Sequence, residues 1–162
     1  MLDATSLTAH YDSPLGGMTM ASDGQALIAL CFDGTKSGAR FSGNISEGKA
    51  LPVFDETRRW LDLYFAGKKP SFTPLLAPHG TPFQLQVWEA LLTIPYGETV
   101  SYGDIAKRFS SKMSAQAIGG AVGRNPIGII IPCHRVIGAD GSLIGYGGGL
   151  DRKRWLLEME GR

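Results

Sequence analysis

Apolar and polar residues alternate from Leu7 to Tyr11, and the pattern continues from Met18 to Ala21. A period of two predicts strands with one covered face. Ser13-Pro14-Leu15-Gly16-Gly17 reads as the turn between them. Ser22-Asp23-Gly24 turns again into the apolar run Leu27 to Phe32, a third strand. Asp33 to Lys49 is rich in Gly, Ser and Lys and predicts an exposed loop. From Phe54 to Phe65 the spacing becomes helical, with Trp60, Leu61, Tyr64 and Phe65 on the apolar side and Gly67 as the stop. Ser71 to Leu76 reads as one more strand.

Ala77-Pro78-His79-Gly80 is the best boundary, and the chain beyond it is mainly helical. Thr81 is an N-cap with Pro82 in the first helical position. That helix runs through Val87, Trp88, Leu91 and Leu92 to the turn Ile94-Pro95-Tyr96-Gly97. Ser101 caps a short helix holding Ile105, Ala106 and Phe109. After the link Ser110-Ser111-Lys112-Met113, Ser114 caps a helix of small residues from Ala115 to Gly123. Two short helices on a tight link suggest a helix-turn-helix, although many helical hairpins share the pattern. Asn125-Pro126 breaks the second helix. Gly128-Ile129-Ile130-Ile131 reads as extended and buried, Asp140-Gly141 as a turn, and Gly145-Tyr146-Gly147-Gly148-Gly149 as a flexible loop. Asp151 to Met159 closes the chain as a helix, with Trp155, Leu156 and Met159 on its apolar face. The fold class is α+β, divided into 1–76 and 77–162.

Composition narrows the function classes. With 43% hydrophobic and 19% charged residues over 162 positions, the chain is expected to be a soluble globular protein. No apolar run approaches the roughly 18 residues that span a bilayer. Met1-Leu2-Asp3-Ala4-Thr5 does not resemble a signal peptide, so the expected compartment is cytoplasmic, with no membrane partner. The net charge of +1 is no footprint of nucleic-acid binding. From Thr81 onward, however, nine basic residues stand against seven acidic ones, and Lys107, Arg108, Lys112, Arg124 and Arg135 share a stretch with Asp104 as the only acid. That excess fits phosphates or an ordinary solvated face equally well.

Two cysteines do not make a disulfide framework. Cys31 sits in an apolar strand run and reads as a small buried hydrophobe. Cys133, in Ile131-Pro132-Cys133-His134-Arg135-Val136, reads as the reactive thiol. A thiol needs an adjacent base or a positive charge to ionise near neutrality, and His134 and Arg135 follow directly. An imidazole base needs an orienting acid, for which Glu160 is the candidate if the last helix packs back. The alternative is a structural cysteine ending a buried strand. His10, His79 and Cys31 lack a fourth partner for zinc, so no metal is expected.

The motifs Pro132-Cys133-His134-Arg135-Val136-Ile137, Gly119-Gly120-Ala121 with Asn125-Pro126, Ser101-Tyr102-Gly103, Gly145-Tyr146-Gly147-Gly148-Gly149 and Trp155-Leu156-Leu157-Glu158-Met159-Glu160-Gly161 occur in one order. In these the chain resembles the O6-alkylguanine-DNA alkyltransferases, over about half its length. The resemblance implies a ribonuclease H-like structural domain at 1–76 and an alkyltransferase domain at 77–162. It implies a monomer that binds the minor groove of double-stranded DNA and flips an alkylated guanine into a pocket. Cys133 then takes the O6-alkyl group, and O4-alkylthymine is a further expected substrate. The thioether is permanent, so each molecule acts once, without a cofactor.

The resemblance assigns roles residue by residue. His134 relays the Cys133 proton through a water, Glu160 orients His134, and Asn125 braces the turn. Tyr102 donates to N3 of the departing guanine. The Gly147 N–H reaches O6, carbonyls near Cys133 and Val136 read the exocyclic amine, Tyr146 walls the pocket and Gly128 lines it. Ser114, Ala115, Gln116, Ala117, Gly119 and Arg124 face DNA. Arg135 is expected to hold the domain interface. Gln116 stands where the family commonly has arginine, which predicts weaker DNA binding or flipping. Gly128 replaces a proline of some members and leaves room for bulky adducts, and Gly147 replaces a serine. Three rivals remain: a non-catalytic relative, which lacks the cysteine; a cysteine hydrolase, which turns over; and a regulator using the helix-turn-helix alone.

Overall fold

Strand β1 (Leu7–Ser13) pairs antiparallel with β2 (Gly16–Ser22), and β2 pairs antiparallel with β3 (Leu27–Phe32), giving the order β1-β2-β3. The computed structural model describes residues 6–36 and 51–161. Ser13 pairs with Gly16 across a two-residue turn, where Gly16 takes a φ of 117° and Ser13 Oγ donates to the Gly16 carbonyl at 2.6 Å. Positive φ at a tight turn is open to glycine at little cost. All six residues of β3 are buried, as its unbroken apolar run requires. Cys31 lies within it, and its thiol donates to the Thr19 carbonyl. The expected loop from Asp33 to Lys49 falls largely on residues 37–49, outside the described residues.

Helix α1 (Pro52–Phe65) starts two residues earlier than the apolar pattern suggests, because Pro52 suits the first helical position. It buries Val53, Phe54, Thr57, Trp60, Leu61 and Tyr64, a stripe at i, i+3 and i+4 spacing. Gly67, at φ 79°, ends it. Ser71 to Leu76 does not form the expected strand. It makes one parallel bridge, Leu27 to Leu76, with the Leu27 N–H on the Leu75 carbonyl at 2.8 Å and the Ala77 N–H on the Leu27 carbonyl at 2.9 Å. Pro70 and Pro74 carry no N–H and weaken the segment's strand preference.

The chain divides into two compact units between His79 and Gly80. The second begins with α2 (Pro82–Leu91), closed at its start by a capping box in which Thr81 and Gln84 exchange hydrogen bonds. Next come β4 (Val100–Ser101), α3 (Tyr102–Phe109) and α4 (Ala115–Val122). Ser101 and Asp104 form a second capping box, and the Ser114 hydroxyl accepts from the Ala117 N–H. Helices α3 and α4 pack together as the expected helix-turn-helix. Trp88 on α2 is buried, and its indole N–H donates to the Ala121 carbonyl on α4 at 2.9 Å. A buried indole needs such an acceptor.

After α4 the run Gly128 to Ile131 is not extended, and within it Ile129, Ile130 and Ile131 are buried while Gly128 is half-buried. The Ile130 N–H bonds the Gly128 carbonyl, the Ile131 N–H bonds the Ile127 carbonyl, and Ile129 takes a φ of 68°. For a β-branched residue that left-handed backbone is strained. Cys133–Arg135 then form one 3-10 turn, followed by β5 (Val136–Ile137) and α5 (Leu150–Met159). Strands β4 and β5 are parallel, with Val100 opposite Val136 and Ser101 opposite Ile137. This short ladder places the first residue of α3, Tyr102, beside the end of the cysteine turn. The buried face of α5 is Lys153, Leu156 and Leu157, whereas the expected Trp155 and Met159 are half-buried.

Candidate active site

Cys133 opens the 3-10 turn and is half-buried. Its N–H bonds the Ile131 carbonyl at 2.8 Å, so the strained turn at Ile129 leads straight into the position of the thiol. Asn125 holds that segment from both sides. Its amide donates to the Ile131 carbonyl at 2.8 Å, and its Oδ1 accepts from the Ile127 N–H at 3.0 Å. Burial pushes the Cys133 thiol up, while a hydrogen bond from Asn125 and the charge of Lys153 pull it down. With burial dominant, the resting group is a thiol that must lose its proton when it reacts.

His134 is completely buried, and its Nε2 lies 2.6 Å from Glu160 Oε2. Burial holds the imidazole below its ordinary value, and the Glu160 carboxylate opposes that shift. A neutral ring that donates from Nε2 keeps Nδ1 as its acceptor, so Nδ1 is the nitrogen able to take a proton. Glu160, just past the end of α5, also accepts from Arg135 Nε at 2.7 Å and Nη2 at 3.2 Å. Arg135 Nη1 donates to the Ile94 carbonyl at 2.8 Å, and the guanidinium lies over the Tyr96 ring. All of these partners belong to the second unit, where Arg135 holds the Glu160 carboxylate in place.

Lys153 is a site residue that sequence reasoning missed. Its side chain sits on α5 at 0% exposure, with Nζ donating to the carbonyls of Ile144 at 2.9 Å and Gly145 at 3.2 Å. A buried ammonium requires such acceptors. The cation that lowers the Cys133 thiol is therefore Lys153, twenty residues away in sequence, and Arg135's charge is committed to Glu160. The Ile144 carbonyl is shared, because the Tyr102 hydroxyl donates to it at 3.0 Å. Burial and the nearby Cys133 raise the Tyr102 hydroxyl, and the same two causes raise Tyr146 well above the ordinary range. Both phenols thus stay protonated as donors.

Of the remaining predicted residues, Val136 is fully buried in β5, and its N–H bonds the Cys133 carbonyl. Tyr146 and Gly128 are half-buried, and Gly147 is exposed. The expected flexible loop is tied down at two points: the Gly149 N–H bonds the Tyr146 carbonyl at 2.9 Å, and Arg152 donates to the Gly148 carbonyl at 3.0 Å. Ser114, Ala115, Gln116 and Ala117 form the exposed start of α4, and Arg124 is exposed beyond its end. Gly119 faces inward on that helix, where a Cβ would lie 3.8 Å from the Tyr102 ring. In the first unit, His10 pairs with Asp12 and Asp33. Among the described residues no group of three or more His, Cys, Asp or Glu is placed to hold a metal ion.

Two family profiles match. The one described as the DNA binding domain of 6-O-methylguanine DNA methyltransferase covers residues 82–162, and the one described as its ribonuclease-like domain covers residues 7–77. The chain belongs to the 6-O-methylguanine DNA methyltransferase family. The methylated-DNA–protein-cysteine methyltransferase of Mycobacterium leprae is 52% identical over 92% of this chain and 88% of its own length. That of Methanosarcina acetivorans is 46% identical over 94% and 97%. A crystal structure of Mycobacterium tuberculosis OGT in complex with DNA, 46% identical, superposes with a TM-score of 0.86 over 95% of this chain and 92% of that one. The reaction of a 6-O-methylguanine DNA methyltransferase is direct-reversal repair, in which an alkyl group moves from DNA to a protein cysteine. The α+β architecture with an antiparallel N-terminal sheet is the family's as well.

Proposed function

We propose that Cys133 is the accepting cysteine and that its substrate is O6-alkylguanine in double-stranded DNA, with O4-alkylthymine as a second substrate. The observation that carries this reading is the buried chain from the cysteine turn through His134 to Glu160, with the 2.6 Å contact at its end. The Cys133 S–H passes its proton through a water to His134 Nδ1. The thiolate attacks the alkyl carbon, the C–O6 bond breaks, and the guanine leaves with its charge met by the Tyr102 hydroxyl at N3. The new thioether has no leaving path, so the protein acts once. Sulfur takes the group directly, and no cofactor enters the step.

The first unit is the structural domain and the second the alkyltransferase domain. Ser114, Ala115, Gln116 and Ala117 at the exposed start of α4, with Gly119 and Arg124, meet the minor groove. Small side chains there let the backbone approach closely, and the flipped base enters the pocket walled by Tyr146. The Gly147 N–H reaches O6, and the carbonyls of Cys133 and Val136 read the exocyclic amine. Gly128 leaves room for adducts larger than methyl. Asn125 keeps the thiol in place. The protein acts as a monomer in the cytoplasm, where its two cysteines, neither in a disulfide, stay reduced.

Intact mass after incubation with duplex DNA holding one O6-methylguanine tests the reading. The expected result is one methyl per protein, absent in Cys133→Ser. Repeated turnover, or binding without a gain in mass, overturns it.

A further inference from the structure

The turn Ile94-Pro95-Tyr96-Gly97 has no part in the reaction described above, yet it meets the Arg135–Glu160 pair at three points. The Ile94 carbonyl accepts from Arg135 Nη1 at 2.8 Å. The Tyr96 ring lies 5.6 Å from the guanidinium carbon. The Gly97 N–H donates to Glu160 Oε1 at 3.4 Å. Gly97 is exposed and takes a φ of 82°. Among the described residues, and apart from its chain neighbours, a Cβ at Gly97 would have one atom within 4 Å: the backbone oxygen of Glu160, at 3.1 Å. The missing side chain therefore spares Glu160.

We infer that Gly97 is a positioning residue for the alkyl transfer, seating the Arg135–Glu160 pair so that the carboxylate meets His134. The inference rests on the function proposed above. Glu160 caps the end of α5, with its N–H on the Leu156 carbonyl at 3.0 Å, and Gly161 comes next at φ 98°, so the helix ends at Glu160. A Cβ at residue 97 pushes on the Glu160 backbone and loosens the 2.6 Å contact to His134. Among the described residues, Glu160, Arg135 and Lys153 act on the imidazole, Cys133 is its chain neighbour, and Tyr96 and Tyr146 lie near Glu160. Of these, Glu160 favours the protonated ring, while Arg135 and Lys153 oppose it. Loosening Glu160 therefore makes His134 harder to protonate, and the fall of the transfer rate on the acid side moves to lower pH.

The test compares wild type with Gly97→Ala, Gly97→Asn and Gly67→Ala. Gly67 has a similar φ of 79° and nothing within 4 Å, so its variant carries the backbone strain alone. Asn tolerates left-handed backbone, so Gly97→Asn carries the added Cβ with less strain. Single-turnover methyl transfer and the imidazole NMR titration of His134 are read in each. Both Gly97 variants are expected to slow transfer between about tenfold and a hundredfold. They should also move the His134 titration to lower pH, whereas Gly67→Ala changes neither. Wild-type rates and titration in Gly97→Asn overturn the inference. If wild type itself takes up no methyl, the proposed function fails; the His134 titration then decides on Gly97, a downward shift upholding its seating of Glu160 and an unchanged curve refuting it.

Discussion

His134 Nε2 and Glu160 Oε2 lie 2.6 Å apart, and neither side chain is exposed to solvent. Arg135 grips the same carboxylate from the other side. Glu160→Gln leaves a buried guanidinium without its counter-charge, which costs about 3–5 kcal/mol of stability. It also replaces one of the two acceptor oxygens with a donor and removes the charge that favours the protonated imidazole, slowing transfer by about 10²-fold or more. Urea unfolding and single-turnover methyl transfer read the two effects separately. Stability within about 1 kcal/mol of wild type, well below that range, would show that the pair is not structural.

Burial depresses His134 in the folded protein, while the unfolded ring titrates near its ordinary 6.5. As pH falls through the unfolded value, the unfolded state takes up a proton that the folded state refuses. Folding therefore weakens on the acid side of that value until the folded ring also protonates. The same shift keeps Nδ1 available as a base below the ordinary histidine range. Melting temperature measured against pH should fall on the acid side in wild type and lose that slope in His134→Asn. A slope unchanged in the variant assigns the acid loss to other groups.

The Tyr102 hydroxyl donates to the Ile144 carbonyl, which also accepts from Lys153. A phenol has one proton to donate, so the proposed bond from Tyr102 to guanine N3 requires it to leave Ile144. Tyr102→Phe leaves the carbonyl its lysine partner and should cost about 1 kcal/mol or less in stability. Transfer from DNA should slow by about 10²-fold, while Cys133 alkylation by a small electrophile without a base stays near wild type. Equal slowing of both reactions would place the effect on the thiol instead.

Gln116 lies exposed in the first turn of α4. It can hydrogen-bond an orphaned base, but it brings no cation to the duplex. Gln116→Arg should tighten duplex binding and raise the rate of methylguanine repair, with a steeper dependence on salt. Equal or lower rates in stopped-flow repair assays would remove Gln116 from the flipping step.

The range of the forces involved decides which features the sequence reveals and which it hides. Thr81, Ser101 and Ser114 act within one helical turn, and the structure puts each at an N-cap. Glu160 could be named because a histidine base needs an acid. Lys153 could not, because lysine is almost never fully buried and its acceptors are backbone carbonyls with no residue signature. The run at Ile129 carries only strand-forming residues, and the left-handed turn there is imposed by tertiary packing against local preference. Gly97 carries the signature of a turn, and only its approach to Glu160 sets it apart from other turn glycines.

The burial of Lys153 has a practical consequence. Its amine is screened from water by the packed second unit, so acylating reagents must wait for that unit to open. Residue-resolved labelling of Lys153 would time the release of the Ile144 and Gly145 carbonyls directly, against the exposed Lys107 and Lys112 as references in the same molecule.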